Sequence, residues 1–299
     1  MTAMVAPSQV ETAERAPDAA SAATAPPRST PELIAGAVSG GVCLLLLLAV
    51  GFAGYLFGLS NLSEQRAQST QYKDFAYTLS QGTAPVGPVR EGTAVAVLDV
   101  PDIGLHAVVM EGTSSRDLDN GPGHRPDTVL PGQAGVSVLY GKRVTFGAPF
   151  AHLMRLAVGD KITVTTGQGV ATYVVSSFGD DNHPAPANST NRLVLVTADS
   201  TGWPRSAVSV SADLTSTPQP NPGGRPALPA NQQSMSRDTD VSPLPMLLWS
   251  QALLLLAALA TVAAHRWSRW GTYVCAAPVF LAVAWNLYEN LAGLLPNLY

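Results

Sequence analysis

Three stretches of this chain carry no alternation of polar and apolar residues at all. From Leu33 to Leu59 it runs 27 residues without a charged side chain, through Val42-Cys43-Leu44-Leu45-Leu46-Leu47-Leu48. A helix of that length exceeds the roughly 30 Å hydrocarbon core of a bilayer, so residues 33–59 are expected to form a transmembrane helix. The apolar region is too long, and its leader too weakly basic, for a cleaved signal peptide. Residues 244–264 and 271–288 form two further uncharged spans, joined by the basic turn His265-Arg266-Trp267-Ser268-Arg269-Trp270 at 265–270. Arg266 and Arg269 in so short a turn favour the cytoplasmic side, and Arg15 and Arg28 put the N-terminus there too. The expected topology has a cytoplasmic tail at 1–32, an extracytoplasmic middle domain and an extracytoplasmic C-terminal stretch at 289–299.

Between the spans the pattern changes to short β-branched runs. Residues 93–100, 135–140, 161–165, 171–175, 192–197 and 207–212 are rich in Val, Ile, Leu and Thr, and Gly, Pro, Asp and Asn clusters separate them. That punctuation predicts a β-barrel or sandwich. In the last run Ala207, Ser209, Ser211 and Asp213 share one face, while Val208, Val210, Ala212 and Leu214 share the face expected in the core. Residues 60–92 read as a helical or stalk segment, and the Pro-rich stretch 215–243 as a flexible linker. The tail, rich in Ala, Pro, Ser and Thr, is too polar to order itself.

Composition narrows the function. Hydrophobic residues make up 46% of the 299 and charged residues only 13%, against a usual quarter, which fits membrane anchors around one globular domain. Seventeen basic and twenty-one acidic residues, net charge -4, with no basic run, exclude a nucleic-acid partner. Both cysteines, Cys43 and Cys275, fall in apolar spans, leaving the middle domain without a thiol or disulfide. His106, His152 and His183 lack metal-ligand spacing, so no metal and no cofactor is expected. Asp180-Asp181 reads as a solvated loop, and Asn61-Leu62-Ser63 and Asn188-Ser189-Thr190 match the glycosylation pattern by chance.

The middle domain resembles a sortase, most closely the class E sortases of actinobacteria. The likeness rests on Leu98-Asp99-Val100-Pro101-Asp102-Ile103-Gly104-Leu105, Val108-Val109-Met110-Glu111-Gly112-Thr113, residues 121–132 around Gly123-His124-Arg125, Tyr140-Gly141-Lys142-Arg143 with its continuation to Phe150, and Leu156-Ala157-Val158-Gly159-Asp160-Lys161-Ile162. It implies a mainly β fold: a sortase-like eight-stranded barrel over 93–214, outside the membrane, with three transmembrane helices. It also implies a transpeptidase site built from a Cys, a His and an Arg, and the matching positions here hold Ala198, Lys142 and Ala207. A methyl group cannot attack a carbonyl. Replacement of all three points to a pseudoenzyme, not an enzyme, with the groove kept for binding. His124 belongs to a shared scaffold motif and not to the site.

On this reading Lys142, Arg143 and Arg205, with Thr197 nearby, line a groove with a basic floor suited to a carboxylate. The expected role is a binding or scaffolding subunit of the bacterial cell envelope, with a membrane or envelope protein and the lipid bilayer as partners. The groove is expected to hold a partner segment or the chain's own loops. Two alternatives stay open: a peptidase using a Ser or Thr (Thr197, Ser200) with Lys142, and a structural accessory subunit docked through its helices.

Overall fold

A computed structural model describes residues 30–186, 189–202, 204–237 and 243–299. The polar tail at 1–29, the Asn188 pattern and the end of the linker at 238–242 lie outside the described residues. The chain divides into two compact units, Met1–Leu46 and Leu47–Tyr299. Helix α1 spans Thr30–Gly54, a π-helical turn follows at Tyr55–Leu59, and α2 spans Ser60–Ser80. Two later helices are α4 at Pro243–Arg266 and α5 at Arg269–Ala292, after the single-turn α3 at Ser115–Leu118. Gly41–Ser80, Pro243–Arg266 and Trp270–Ala292 are each long and apolar enough to cross a membrane.

The middle of the chain is a closed eight-stranded barrel. Its strands are β1 (Ala94–Val100), β2 (Leu105–Glu111), β3 (Gly123–His124), β4 (Val136–Tyr140), β5 (Lys161–Thr166), β6 (Gly169–Asp180), β7 (Arg192–Ala198) and β8 (Ala207–Leu214). They close in the order β1-β2-β3-β4-β7-β8-β6-β5. Period-two alternation sorts the side chains: Leu193, Leu195, Val210 and Ala212 join the sealed core with Leu98, Leu139, Ile162 and Val164. The opposite parity, Val194, Val196 and Ala198 on β7 with Ala207 on β8, lies outside that core and becomes the floor of the site.

Two of the eight strands are absent from the β-branched runs. β3 is two residues long, and β2 carries His106 and Glu111 at its ends. Neighbouring strands, rather than their own composition, make them strands. Gly123 shows how tight this corner is, since a Cβ there would sit 2.1 Å from the carbonyl oxygen of Gly112.

The linker differs from its expected flexible state. Gln219 forms a bridge with Gln133, accepting from Ala134 N at 3.0 Å and donating to Gly132 O at 2.8 Å. Further along, Gln232 is fully buried, and its side chain and backbone accept from Thr113 N at 3.1 Å and Thr113 Oγ1 at 2.7 Å. Proline content keeps such a segment extended but does not keep it free; here its amide groups find partners along the barrel wall.

Aromatic packing joins α5 and the π turn to the loop after β4. Tyr55 stands edge-on to Trp285 at 5.2 Å and to Phe146 at 6.4 Å. Ser60 Oγ and Asn61 Oδ1 accept from Phe146 N and Gly147 N at 3.1 and 2.9 Å. This loop adopts left-handed backbone at Phe146, Gly147 and Ala148, with φ of 50°, 74° and 45°. Non-glycine residues in that region carry strain that their surroundings must hold in place.

Candidate functional site

The site forms where β4, β7 and β8 end. Ala198 and Ala207 face one another across the β7–β8 ladder, and Tyr140 pairs with Val196 across the parallel β4–β7 ladder. Beyond Tyr140 the chain stays clamped to β7: Gly141 N donates to Val196 O at 3.1 Å, and Thr197 Oγ1 donates to Gly141 O at 2.8 Å. Thr197 is fully buried and spends its hydroxyl on that backbone contact.

Lys142 is fully buried beside this clamp. Its Nζ lies 3.0 Å from Asp119 Oδ1, 3.4 Å from Ser115 Oγ and 4.8 Å from the centroid of the Phe146 ring. Ser115 sits in the first turn of α3, which a Ser114–Asp117 capping box holds in place. Burial pushes the Asp119 carboxyl above the usual carboxylate range, and the Lys142 ammonium opposes that rise.

Arg143 turns toward the end of β7. Its Nη1 donates to Ala198 O at 2.7 Å and Asp199 O at 3.2 Å, so backbone carbonyls use the charge. Arg205 is exposed and does not line the groove; its backbone N donates to Asp199 Oδ1 at 3.3 Å. The structure therefore brings Lys142, Arg143 and Thr197 together around Ala198 and leaves Arg205 outside. An open basic floor does not form, because Asp119 neutralises one cation and carbonyls hold the other. Asp181 is likewise tied in, its Oδ2 accepting from Ala207 N at 2.7 Å.

Outside the barrel core, the faces of β4, β7 and β8 line a cleft of about 350 Å³. Val138, Val194 and Val196 give it an aliphatic floor, and Arg125, Arg192 and Ser209 give it polar walls. Its end at Ala198 is closed. Leu118, Val138, Tyr140, Ala198, Ala207 and Leu298 form one apolar cluster, with Met235 packed against it. Residue identities along the sequence gave no sign of Ser115 or Leu298. Ser115 looks like an ordinary helix-start serine, and Leu298 lies a hundred residues from the strands it touches.

His124 lies apart from this cluster, fully buried, with Nδ1 2.8 Å from Glu111 Oε2 and Nε2 2.8 Å from Val129 O. It joins β3 to β2 as a structural hydrogen-bonder. Among the described residues no group of three His, Cys, Asp or Glu stands close enough to hold a metal ion.

Comparison with known proteins shows what this part of the chain is similar to. A sortase domain matches residues 98–208. Sortase D of Bacillus subtilis (strain 168) is 33% identical over 84 residues, 28% of this chain, and the match spans 41% of that relative's own length. Among solved structures, a sortase D5 transpeptidase of Clostridium perfringens is 24% identical with a TM-score of 0.43, covering 51% of this chain and 98% of that one. Sortase E of Streptomyces avermitilis is 29% identical with a TM-score of 0.38, covering 48% and 100%.

The family match corrects one expectation. The substitutions at residues 198, 142 and 207 suggest that the chain is not an enzyme, yet the domain and the relative that it matches are both sortases, and the likeness points to a family of enzymes. A methyl group at Ala198 shows only that residue 198 is not a nucleophile; it does not show that the domain lacks chemistry. From Leu98 to Val208, this chain is similar to a sortase domain.

Proposed function

We propose that this is a membrane-anchored, sortase-family protein of the bacterial cell envelope whose β4-β7-β8 cleft takes a polypeptide segment. One observation carries the reading: the cleft combines an aliphatic floor of Val138, Val194 and Val196 with polar walls of Arg125, Arg192 and Ser209. A polypeptide offers both halves of that match, side chains for the floor and amide groups for the walls. The three apolar helices would anchor the domain, and a cytoplasmic basic turn at 265–270 would put the barrel on the outer face. A photo-crosslinking residue at position 196 tests the cleft in intact membranes. Polypeptide adducts at that position support the proposal, and an absence of any adduct, in cis or in trans, overturns it.

A second reading is favoured by the 3.4 Å approach of Lys142 Nζ to Ser115 Oγ. A serine hydroxyl beside a lysine amine is an arrangement used for acyl transfer, with the amine taking the hydroxyl proton. Asp119 Oδ1 stands closer to the same amine, at 3.0 Å, and competes with Ser115 for it. A fluorophosphonate adduct on Ser115, lost in Lys142→Ala, would establish this chemistry. An unlabelled Ser115 in a folded chain would remove it.

A further inference from the structure

The segment after α5 packs beside the cleft, where Leu298 shares an apolar cluster with the lining residues Val138, Tyr140 and Ala207. Tyr299 N donates to Pro296 O at 3.0 Å, closing a turn that presents Asn297 and Leu298. The Asn297 side chain is fully buried, and Nδ2 donates to Asn231 O at 2.8 Å and Gln233 O at 2.9 Å and lies 3.1 Å from Ser236 Oγ. Its backbone N donates to Ser236 O at 3.0 Å. Leu298 is fully buried in the apolar cluster that also holds Ala198 and Ala207, and its carbonyl accepts from Arg143 N at 3.2 Å. Tyr299 O accepts from Thr145 Oγ1 at 2.6 Å.

Three features turn this contact into a recognition site. The amide clamp on Asn297 comes from 231–236 and the carbonyl clamps from 143–145, so loops hold the segment and the strands contribute only apolar surface. The turn joins pieces of chain that are far apart in sequence, so it closes the head of the cleft. Finally, Ala198 and Ala207 are paired neighbours with the smallest side chains that still have a Cβ. Together they leave the space that Leu298 fills, and a larger side chain at either position would occupy it.

Resting on the reading of the cleft as a polypeptide site, we infer that residues 293–299 are its built-in ligand and that the alanine pair is the specificity pocket. The ligand class is a Pro-Asn-Leu turn, with the asparagine amide read by loop carbonyls and the leucine by Ala198 and Ala207. A segment tethered in cis acts at an effective concentration on the order of millimolar. It therefore masks the site by about 100-fold from a free peptide that binds with a Kd of about 10 μM, until a partner displaces it.

The test uses the full chain in mild detergent and a fluorescent peptide of residues 291–299. Asn297→Ala/Leu298→Asp, which releases the segment, should bind the peptide about 100-fold more tightly than the unaltered chain by anisotropy, and adding Ala198→Leu should abolish that gain. Equal binding by the unaltered and released chains, with the thermal transition retained, overturns the inference. Ala198→Leu alone gives a second readout: amide exchange at Arg143, Asn297 and Tyr299 should quicken at least tenfold, and unchanged exchange counts against the pocket. A cross-linker at position 196 separates this inference from the reading beneath it. Trans adducts with 293–299 still docked sink the built-in ligand and leave the cleft reading standing. A released chain that binds no peptide and forms no adduct sinks both.

Discussion

Lys142 Nζ and Asp119 Oδ1 stand 3.0 Å apart, the lysine fully buried and the aspartate side chain 21% exposed. The pair joins the loop after β4 to the end of α3, the two pieces of chain that frame Ala198. Truncating the lysine leaves a shielded carboxylate without its cation, whereas replacing both partners by uncharged residues leaves none. Lys142→Met is expected to destabilise the chain by about 3 kcal/mol in denaturant unfolding. The double change Lys142→Met/Asp119→Asn should recover at least half of that loss. Equal losses in the single and double variants would show that the stem of Lys142, and not its charge, holds the site.

The strands and spans were legible because both have a period that local composition must satisfy. Val208, Val210, Ala212 and Leu214 follow the alternation that puts Val210 and Ala212 in the sealed core, and the unbroken run at 42–48 admits only an apolar helix. Thr197, expected in the groove, instead lies buried and donates its hydroxyl to Gly141 O. Contacts between distant segments were not. Nothing local in Ser115 or Asp119 marks them as neighbours of Lys142, and nothing in Leu298 marks it as the cover of Ala198. The linker misled because proline richness reports backbone stiffness, while the partners of Gln219 and Gln232 lie more than eighty residues away.

His124 offers a check on what is scaffold. Nε2 lies against Val129 O and Nδ1 against the Glu111 carboxylate, both at 2.8 Å in a fully buried setting. Arg225 lies 3.7 Å from the other Glu111 oxygen, tying the linker to the same carboxylate. His124→Ala is expected to cost about 2–3 kcal/mol by leaving buried acceptors unpaired. It should leave binding of the 291–299 peptide to the segment-released chain unchanged. Lost peptide binding in a folded His124→Ala chain would move this histidine into the functional site.

Gly141 is the hinge on which Lys142 depends. A Cβ at this position would lie 2.5 Å from two ring carbons of Phe150, whose side chain is fully buried. The ring has no open space to enter, because it packs in the barrel core with Leu139, Leu153 and Leu195. Either the ring or the 141–142 backbone must shift, and the backbone is held by Val196 O and Thr197 Oγ1. Gly141→Ala should therefore destabilise the chain by about 3 kcal/mol, in the range of overpacked cores. Gly92→Ala provides the control, since that glycine has φ of 77° with open space around its Cβ, and only backbone strain of about 1 kcal/mol applies. Combining Gly141→Ala with Phe150→Leu should restore part of the loss by removing the ring atoms that clash. Denaturant unfolding of the three variants measures the difference, and a Gly141→Ala cost no greater than that of Gly92→Ala would mean the ring yields and Lys142 is not held by close packing.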